Sequence, residues 1–175
     1  MKYILSFFGI VAIFCAVFFC TKKGSDVNDD YVRIHITANS NSDFDKNIKY
    51  KVKDAVVDFL IPMLGDVKDK ESAEILLKDN LQKIEAVAND ALCRFGVKYN
   101  AQVTLVEEKI PTRVYDDFSL QSGVYQSLKI DLGQAKGDNW WCVVFPAVCF
   151  TSSKNPQNLE YISKIWDTIQ SVTKR

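Results

Sequence analysis

Histidine is scarce in this sequence of 175 residues, which contains only His35. The histidine and the five cysteines form no cluster with metal-ligand spacing, which excludes a histidine-based metal centre. The seven glycines are scattered, which excludes a glycine-rich phosphate loop. The 22 basic residues are balanced by 22 acidic ones, so the chain lacks the basic excess typical of nucleic-acid binding. These absences predict a protein without a metal, a cofactor or a nucleic-acid partner.

Charge is also absent from residues 4–20, an apolar run of 17 residues. As a helix this run would extend about 25 Å, slightly less than the apolar core of a bilayer at about 30 Å. A lysine and the amino terminus precede it, as in secretory signals. A signal-peptide cleavage site has small residues at positions −3 and −1. A cut after Ala16 would place Phe14 at −3, and a cut after Cys20 would place Phe18 there, so neither position fits this pattern. The run is either an uncleaved membrane anchor or a cleaved signal, and both would export the rest of the chain.

The remaining sequence alternates between patterns of strands and of helices. Residues 31–39 alternate with period two, which predicts a half-buried strand with one polar face. Three- and four-residue spacings predict helices from about 43 to 64, from 69 to 95 and from 159 to 172. Strands are predicted over residues 101–106 and 124–132, with an irregular connection over 111–123. Residues 140–145 form a nearly continuous apolar run, which predicts either a strand buried on both faces or a short helix. The order predicts a single α+β domain with a mixed or antiparallel sheet and helices on one face.

The domain organisation follows from these patterns. We expect a signal peptide or membrane anchor over residues 1–20, a polar linker over 21–30 and one extracytoplasmic domain over 31–175.

Two segments carry a family resemblance. The first is Arg-Ile-His-Ile-Thr-Ala-Asn-Ser over residues 33–40, followed by Lys49 and by residues 53–56. The second is Asn-Trp-Trp-Cys-Val-Val-Phe-Pro over residues 139–146, followed by Cys149 and Phe150. Together they resemble the stage II sporulation protein R family. Pro-Thr-Arg over residues 111–113 and Tyr115 also fit the family, and the resemblance covers about residues 31–150.

The resemblance implies a signal rather than an enzyme. Proteins of this family are made in the forespore and exported into the space between the two septal membranes. There they activate a membrane-embedded aspartic protease of the mother cell, which then processes pro-sigma-E. The resemblance thus implies a protease partner, a membrane association through residues 4–20, no catalytic residues and no small-molecule substrate.

The polar face of the first strand and the start of the first helix form the candidate docking surface. Arg33 and His35 share that face, and Lys49 and Lys53 are about one helical turn apart. The proposed partner-binding residues are Arg33, His35, Asn39, Ser40, Lys49 and Lys53. Three other interpretations stay open: His35 is structural, Asn39 and Ser40 only build the turn, and the lysines form a solvated face.

The second signature also contains residues with expected structural roles. Trp140, Trp141 and Pro146 are expected to hold the fold, with one tryptophan outside the core as an interface anchor. Cys142 and Cys149 form a disulfide or stay as two buried thiols. A third interpretation pairs one of these cysteines with His35 as a nucleophile and base, which makes a cell-envelope cysteine hydrolase the rival function.

Overall fold

The computed structural model of the protein describes residues 30–115 and 118–146, without the side chain of Phe118. Three helices and six strands lie in this part of the chain. They are β1 (Val32–Thr37), α1 (Asp43–Leu64), α2 (Lys70–Asp79), α3 (Leu81–Arg94), β2 (Ala101–Ile110), β3 (Arg113–Tyr115), β4 (Phe118–Leu120), β5 (Gly123–Leu132) and β6 (Asn139–Phe145).

Four of the strands form a mixed sheet in the order β2-β5-β1-β6. The central strand β1 runs parallel to β5 and antiparallel to β6, and β2 runs antiparallel to β5. The short strands β3 and β4 form a separate antiparallel hairpin. The prediction of a single α+β domain with a mixed sheet is confirmed.

The three helices cover one face of this sheet. Val32, Ile34 and Ile36 alternate along β1 and are at most 1 % exposed, in one cluster with apolar side chains of all three helices. Burial of such side chains stabilises the fold by about 1.5–3 kcal/mol each. The helix α1 starts where Ser42 accepts a hydrogen bond from the Asp45 amide at 3.1 Å.

The opposite face of the sheet, called the second face below, is buried along β1 as well. Arg33, His35 and Thr37 point to it and are 0 %, 7 % and 6 % exposed. The prediction of a half-buried strand with an open polar face is therefore wrong. A smaller apolar cluster covers this side, formed by Tyr31, Ile110, Leu120, Tyr125 and Val143 with Tyr115 and Trp141 against it.

Two predicted elements differ from the structure. Residues 111–123 contain the β3–β4 hairpin rather than an irregular connection. Strand β2 extends beyond its predicted end to Ile110, which pairs with Gly123, the first residue of β5. The helix predicted over residues 69–95 is two helices that meet at Asn80. The Asn80 side chain donates to the Leu76 carbonyl at 2.8 Å, and such side-chain competition for backbone groups ends helices.

Of the two interpretations of residues 140–145, the strand is confirmed as β6 and the short helix is wrong. Val143, Val144 and Phe145 are buried, whereas Trp140 and Trp141 are half-buried. Pro146 follows the strand, is buried and is joined to it by a cis peptide bond.

Some predictions fall outside the described residues: the apolar run over 1–20, most of the linker, the last helix over 159–172 and Cys149. Within residues 30–115 and 118–146, no helix has both the length and the hydropathy needed to cross a membrane.

Candidate partner-binding site

Arg33 lies at the centre of the second face and is completely buried. Its Nε donates to the Cys142 carbonyl at 3.0 Å and its Nη2 to the Tyr115 hydroxyl at 2.7 Å. The guanidinium also lies over the Tyr125 ring, 4.9 Å from its centroid. Burial raises the pKa of the Tyr115 hydroxyl, and the charge and hydrogen bond of Arg33 lower it in part. Arg33 therefore joins β1 to β6 and to the hairpin.

His35 lies two residues further along β1 and has polar contacts at both ring nitrogens. Its Nδ1 donates to the Glu108 carboxylate, with Oε2 at 2.9 Å, and its Nε2 lies 2.9 Å from Oδ1 of Asn139. Burial acts to raise the pKa of the Glu108 carboxyl, but the hydrogen bond from His35 is the largest of several effects that keep the pKa below its usual value. His35 thus connects β1, β2 and β6 on the second face.

The contacts of His35 include a hydroxyl group, and this raises the question of catalysis. Oγ1 of Thr37 lies 3.3 Å from Nε2, so Thr37, His35 and Glu108 follow the order of a hydroxyl–imidazole–carboxylate chain. A general base needs a free lone pair on the nitrogen that faces the hydroxyl. The nearest neighbour of Nε2 is instead the amide oxygen of Asn139, which only accepts a hydrogen bond. The geometry therefore favours a structural role for His35.

Trp141 lies between His35 and the hairpin. Its ring stacks on the imidazole of His35 with centroids 5.0 Å apart and an angle of 26° between the planes. The guanidinium of Arg113, on β3, lies 4.1 Å from the centroid of the same ring. Three side chains that are far apart in the sequence thus form one stack, and Arg113 is its half-buried outer member.

Asn39 and Ser40 form the turn between β1 and α1 and bind the carboxylate of Asp45. Nδ2 of Asn39 donates to Oδ2 at 2.9 Å, the Ser40 hydroxyl donates to the same oxygen at 2.5 Å, and the Tyr99 hydroxyl donates to Oδ1 at 2.7 Å. Burial acts to raise the pKa of the Asp45 carboxyl, but these bonds keep it below its usual value. Asn39 and Ser40 therefore build the turn.

The loop between β5 and β6 lies against the same turn at very close range. The Asn39 side-chain oxygen accepts a hydrogen bond from the Gln134 amide at 2.9 Å. Gly137 approaches so closely that an added Cβ would lie 2.2 Å from the Ser40 carbonyl oxygen. Only glycine fits at this position without a shift of the backbone.

The two predicted lysines lie on α1, on the helix side of the sheet. Lys49 is only 2 % exposed, and its ammonium group donates to the Asp138 carbonyl at 3.1 Å. Burial lowers the pKa of Lys49. Lys53 is half-buried, forms an ion pair with Asp54 and lies 5.9 Å from the centroid of the Trp140 ring.

Cys142 points away from His35. It pairs with Ile34 in the sheet register and belongs to the core on the helix side, whereas His35 points to the second face. Cys142 is also disulfide-bonded. A dyad of Cys142 with His35 is therefore wrong. Cys149 lies outside the described residues, so its pairing with Cys142 stays a prediction.

The six predicted docking residues do not form one surface. Arg33 and His35 are buried on the second face of the sheet, whereas Lys49 and Lys53 lie on the helix side. Sequence patterns missed Glu108, Tyr115 and Tyr125 as partners of the buried polar groups. Arg113 and Tyr115 did belong to the family resemblance, and this was the only signal that singled them out.

The comparisons with known proteins agree with one another. Residues 28–155 match the family described as "Stage II sporulation protein R (spore_II_R)". The chain belongs to this family. It is 32 % identical over 129 residues to the stage II sporulation protein R of Bacillus subtilis (strain 168), and the match covers 74 % of this chain and 58 % of that protein. The chain thus spans less than two thirds of the length of this curated relative. No solved structure matches it.

Proposed function

We propose that this protein is an exported sporulation signal that activates a membrane-embedded aspartic protease and thereby triggers the processing of pro-sigma-E. Membership of the stage II sporulation protein R family supports a role in sporulation. The apolar run over residues 4–20 supports export into the space between the forespore and mother-cell membranes, as a secreted or anchored protein. The proposed partners are the protease and, through this run, the membrane.

The observation that carries the non-enzymatic part of the proposal is the environment of His35. Its two ring nitrogens contact Glu108 and Asn139, and its ring face is stacked on Trp141. Hydrogen bonds to fixed protein groups at both nitrogens leave neither of them directed at a substrate. The only histidine of the chain thus holds three strands together. The protein would then act through surface contacts.

Of the residues proposed for docking, Arg33, His35 and Lys49 are too buried for direct contact with a partner. They would act indirectly, by holding the groups that they contact: Arg33 holds Tyr115, His35 holds Trp141, and Lys49 holds the backbone at Asp138. Asn39 and Ser40 are half-buried and Lys53 keeps an accessible part, so these three are the remaining direct candidates of the set.

Co-expression in a host that does not form spores tests the proposal. The full chain, the protease and pro-sigma-E are expressed together, and cleavage of pro-sigma-E is scored on blots. Cleavage should require all three proteins. A matched version without residues 1–20 should accumulate in the cytoplasm and give no cleavage. Equal cleavage without this chain, or full cleavage with the truncated version, would contradict the proposal.

The same assay separates a signal from the rival cysteine hydrolase. Cys149 is the remaining candidate nucleophile, since Cys142 lies on the other side of the sheet from His35. An enzyme loses its activity when its nucleophile is replaced. A Cys149→Ser variant of a signal protein should keep activity in proportion to the amount of folded protein. Complete loss of cleavage in a Cys149→Ser variant that is folded and exported would favour the hydrolase.

A further inference from the structure

Among the residues that the structure describes, the charges on and above the second face do not balance. Glu108 pairs with His35, and Asp131 pairs with Lys129 at 2.7 Å. Arg33 and Arg113 have no ion pair with a carboxylate in the part of the chain that the structure describes. Within residues 30–115 and 118–146, their two positive charges therefore have no acidic partner.

The two arginines also have unused hydrogen-bond donors. Nη1 of Arg33 and Nε of Arg113 are buried and have no hydrogen-bond partner within residues 30–115 and 118–146. A buried donor without an acceptor costs about 1–3 kcal/mol, and more when it is charged. The guanidinium of Arg33 donates to the Tyr115 hydroxyl at 2.7 Å, and Arg113 lies two residues before Tyr115 on β3. The unused donors thus belong to one cluster at the hairpin.

This cluster reaches the surface at Arg113. Arg113 and Trp141 are half-buried, and Val114, the next residue on β3, is 77 % exposed. Because Trp141 stacks on His35 on one side and on Arg113 on the other, these contacts fix the orientation of the Arg113 side chain. Arginine and tryptophan are enriched among the residues that dominate binding energy at protein interfaces. The stack is therefore suited to hold a partner.

We propose that Arg113, which stacks on Trp141 and shares β3 with the Arg33 partner Tyr115, receives a carboxylate from an acidic segment of the partner protein. This inference rests on the proposed function, because it assigns the docking point of the same signal. The planar guanidinium matches a carboxylate with two parallel hydrogen bonds, and a carboxylate at the accessible part of the half-buried Arg113 would offset part of the positive charge. Arg33 is a positioning residue that holds Tyr115 and the hairpin.

A peptide-binding measurement tests this docking point directly. The full chain is kept in detergent micelles, and fluorescein-labelled hexaglutamate is titrated by fluorescence anisotropy, with hexaglutamine as the neutral control peptide. Wild-type protein should bind hexaglutamate and not hexaglutamine, and added salt should weaken the binding. Arg113→Gln should weaken it about tenfold or more, because a charge-assisted hydrogen bond is lost.

The matched control is Arg94→Gln. Arg94 is an exposed arginine at the end of α3 that pairs with Asp90, far from the stack in the sequence. Its replacement should leave the affinity for hexaglutamate within about twofold of the wild type. Thermal unfolding of both variants checks that they are folded. If Arg113→Gln does not fold, the wild-type comparison of the two peptides decides the question.

Three results would overturn the inference. They are equal binding of the two peptides, equal loss in both arginine variants, and binding of phosphatidylglycerol vesicles but not of hexaglutamate. The last result would assign the site to a lipid surface. These outcomes differ from a failure of the proposed function, because the cleavage assay with wild-type protein tests that function without reference to Arg113.

Discussion

Nδ1 of His35 lies 2.9 Å from Oε2 of Glu108, and this hydrogen bond connects β1 to β2 across the intervening strand β5. The two residues are 73 positions apart in the sequence. Their side chains are only 10 % and 20 % exposed, so water screens the pair less than it screens pairs on the surface. The pair therefore contributes to the stability of the sheet.

The contribution of this pair can be measured with a double-mutant cycle. His35→Gln and Glu108→Gln should each lower the free energy of unfolding by about 1–3 kcal/mol, because each leaves a buried polar group with a poorer partner. The coupling energy should lie within the range of about 0.5–3 kcal/mol found for residues in contact. The exposed pair Asp90 and Arg94 on α3 is the control, with an expected coupling of about 0.3–0.5 kcal/mol. Equal coupling for both pairs would contradict the structural role of His35.

The stability should also depend on pH through Glu108. The pKa of Glu108 is lower in the folded protein than in the unfolded chain, so its contribution is complete above the unfolded pKa of about 4.3 and is lost as the pH falls through the folded pKa. The difference in unfolding free energy between wild type and Glu108→Gln should therefore shrink as the pH falls below about 4.3. Urea unfolding at several acidic pH values measures it. A difference that stays constant would show that the pair adds no pH-dependent stability.

The turn between β1 and α1 should depend on Asp45 rather than on its neighbour Asp43. Asp45→Asn removes an acceptor that Asn39, Ser40 and Tyr99 share, with an expected loss of about 1–3 kcal/mol. Asp43 is exposed in the same helical turn, so Asp43→Asn should change stability by about 0.5 kcal/mol or less. Chemical denaturation compares the two. Equal losses would mean that the charge near the helix start matters and the hydrogen bonds do not.

The adjacent tryptophans should differ in their effects. Trp141→Ala removes the ring between His35 and Arg113. We expect it to lower the free energy of unfolding by about 3 kcal/mol, the low end for a large aromatic residue, because Trp141 is half-buried. Trp140→Ala should cost less, because within the described residues the ring of Trp140 has a single polar contact, with the ammonium group of Lys53. The midpoints of urea unfolding rank the two variants. Wild-type midpoints for both would remove the structural role assigned to these residues.

The sequence predicts the fold class well, because the periodicity of each strand and helix reflects which side is buried. The alternation in residues 31–39 placed Ile34 and Ile36 correctly against the helices. The same pattern misplaced Arg33 and His35, since polar residues at alternate positions are also compatible with a second buried layer. That layer is built by the β3–β4 hairpin, which comes some 80 residues later.

The candidate site was harder to predict, because strand order is a long-range property. The bond between His35 and Glu108 exists only because β5 lies between β1 and β2 in the sheet, and local patterns do not specify this order. The turn residues were predicted better. Asn39 and Ser40 follow a strand and precede a helix, and such side chains bind nearby backbone and capping groups.

The central claim is that this protein activates the protease by contact and not by catalysis. A titration measures this most directly: purified protease and pro-sigma-E are placed in lipid vesicles, and increasing amounts of the full chain are added while cleavage is followed. A bound activator should raise the cleavage rate in proportion to its amount until it is about equimolar with the protease. Maximal cleavage at a ratio of about one chain to a hundred protease molecules would mean that the chain turns over as an enzyme, and this would contradict the account.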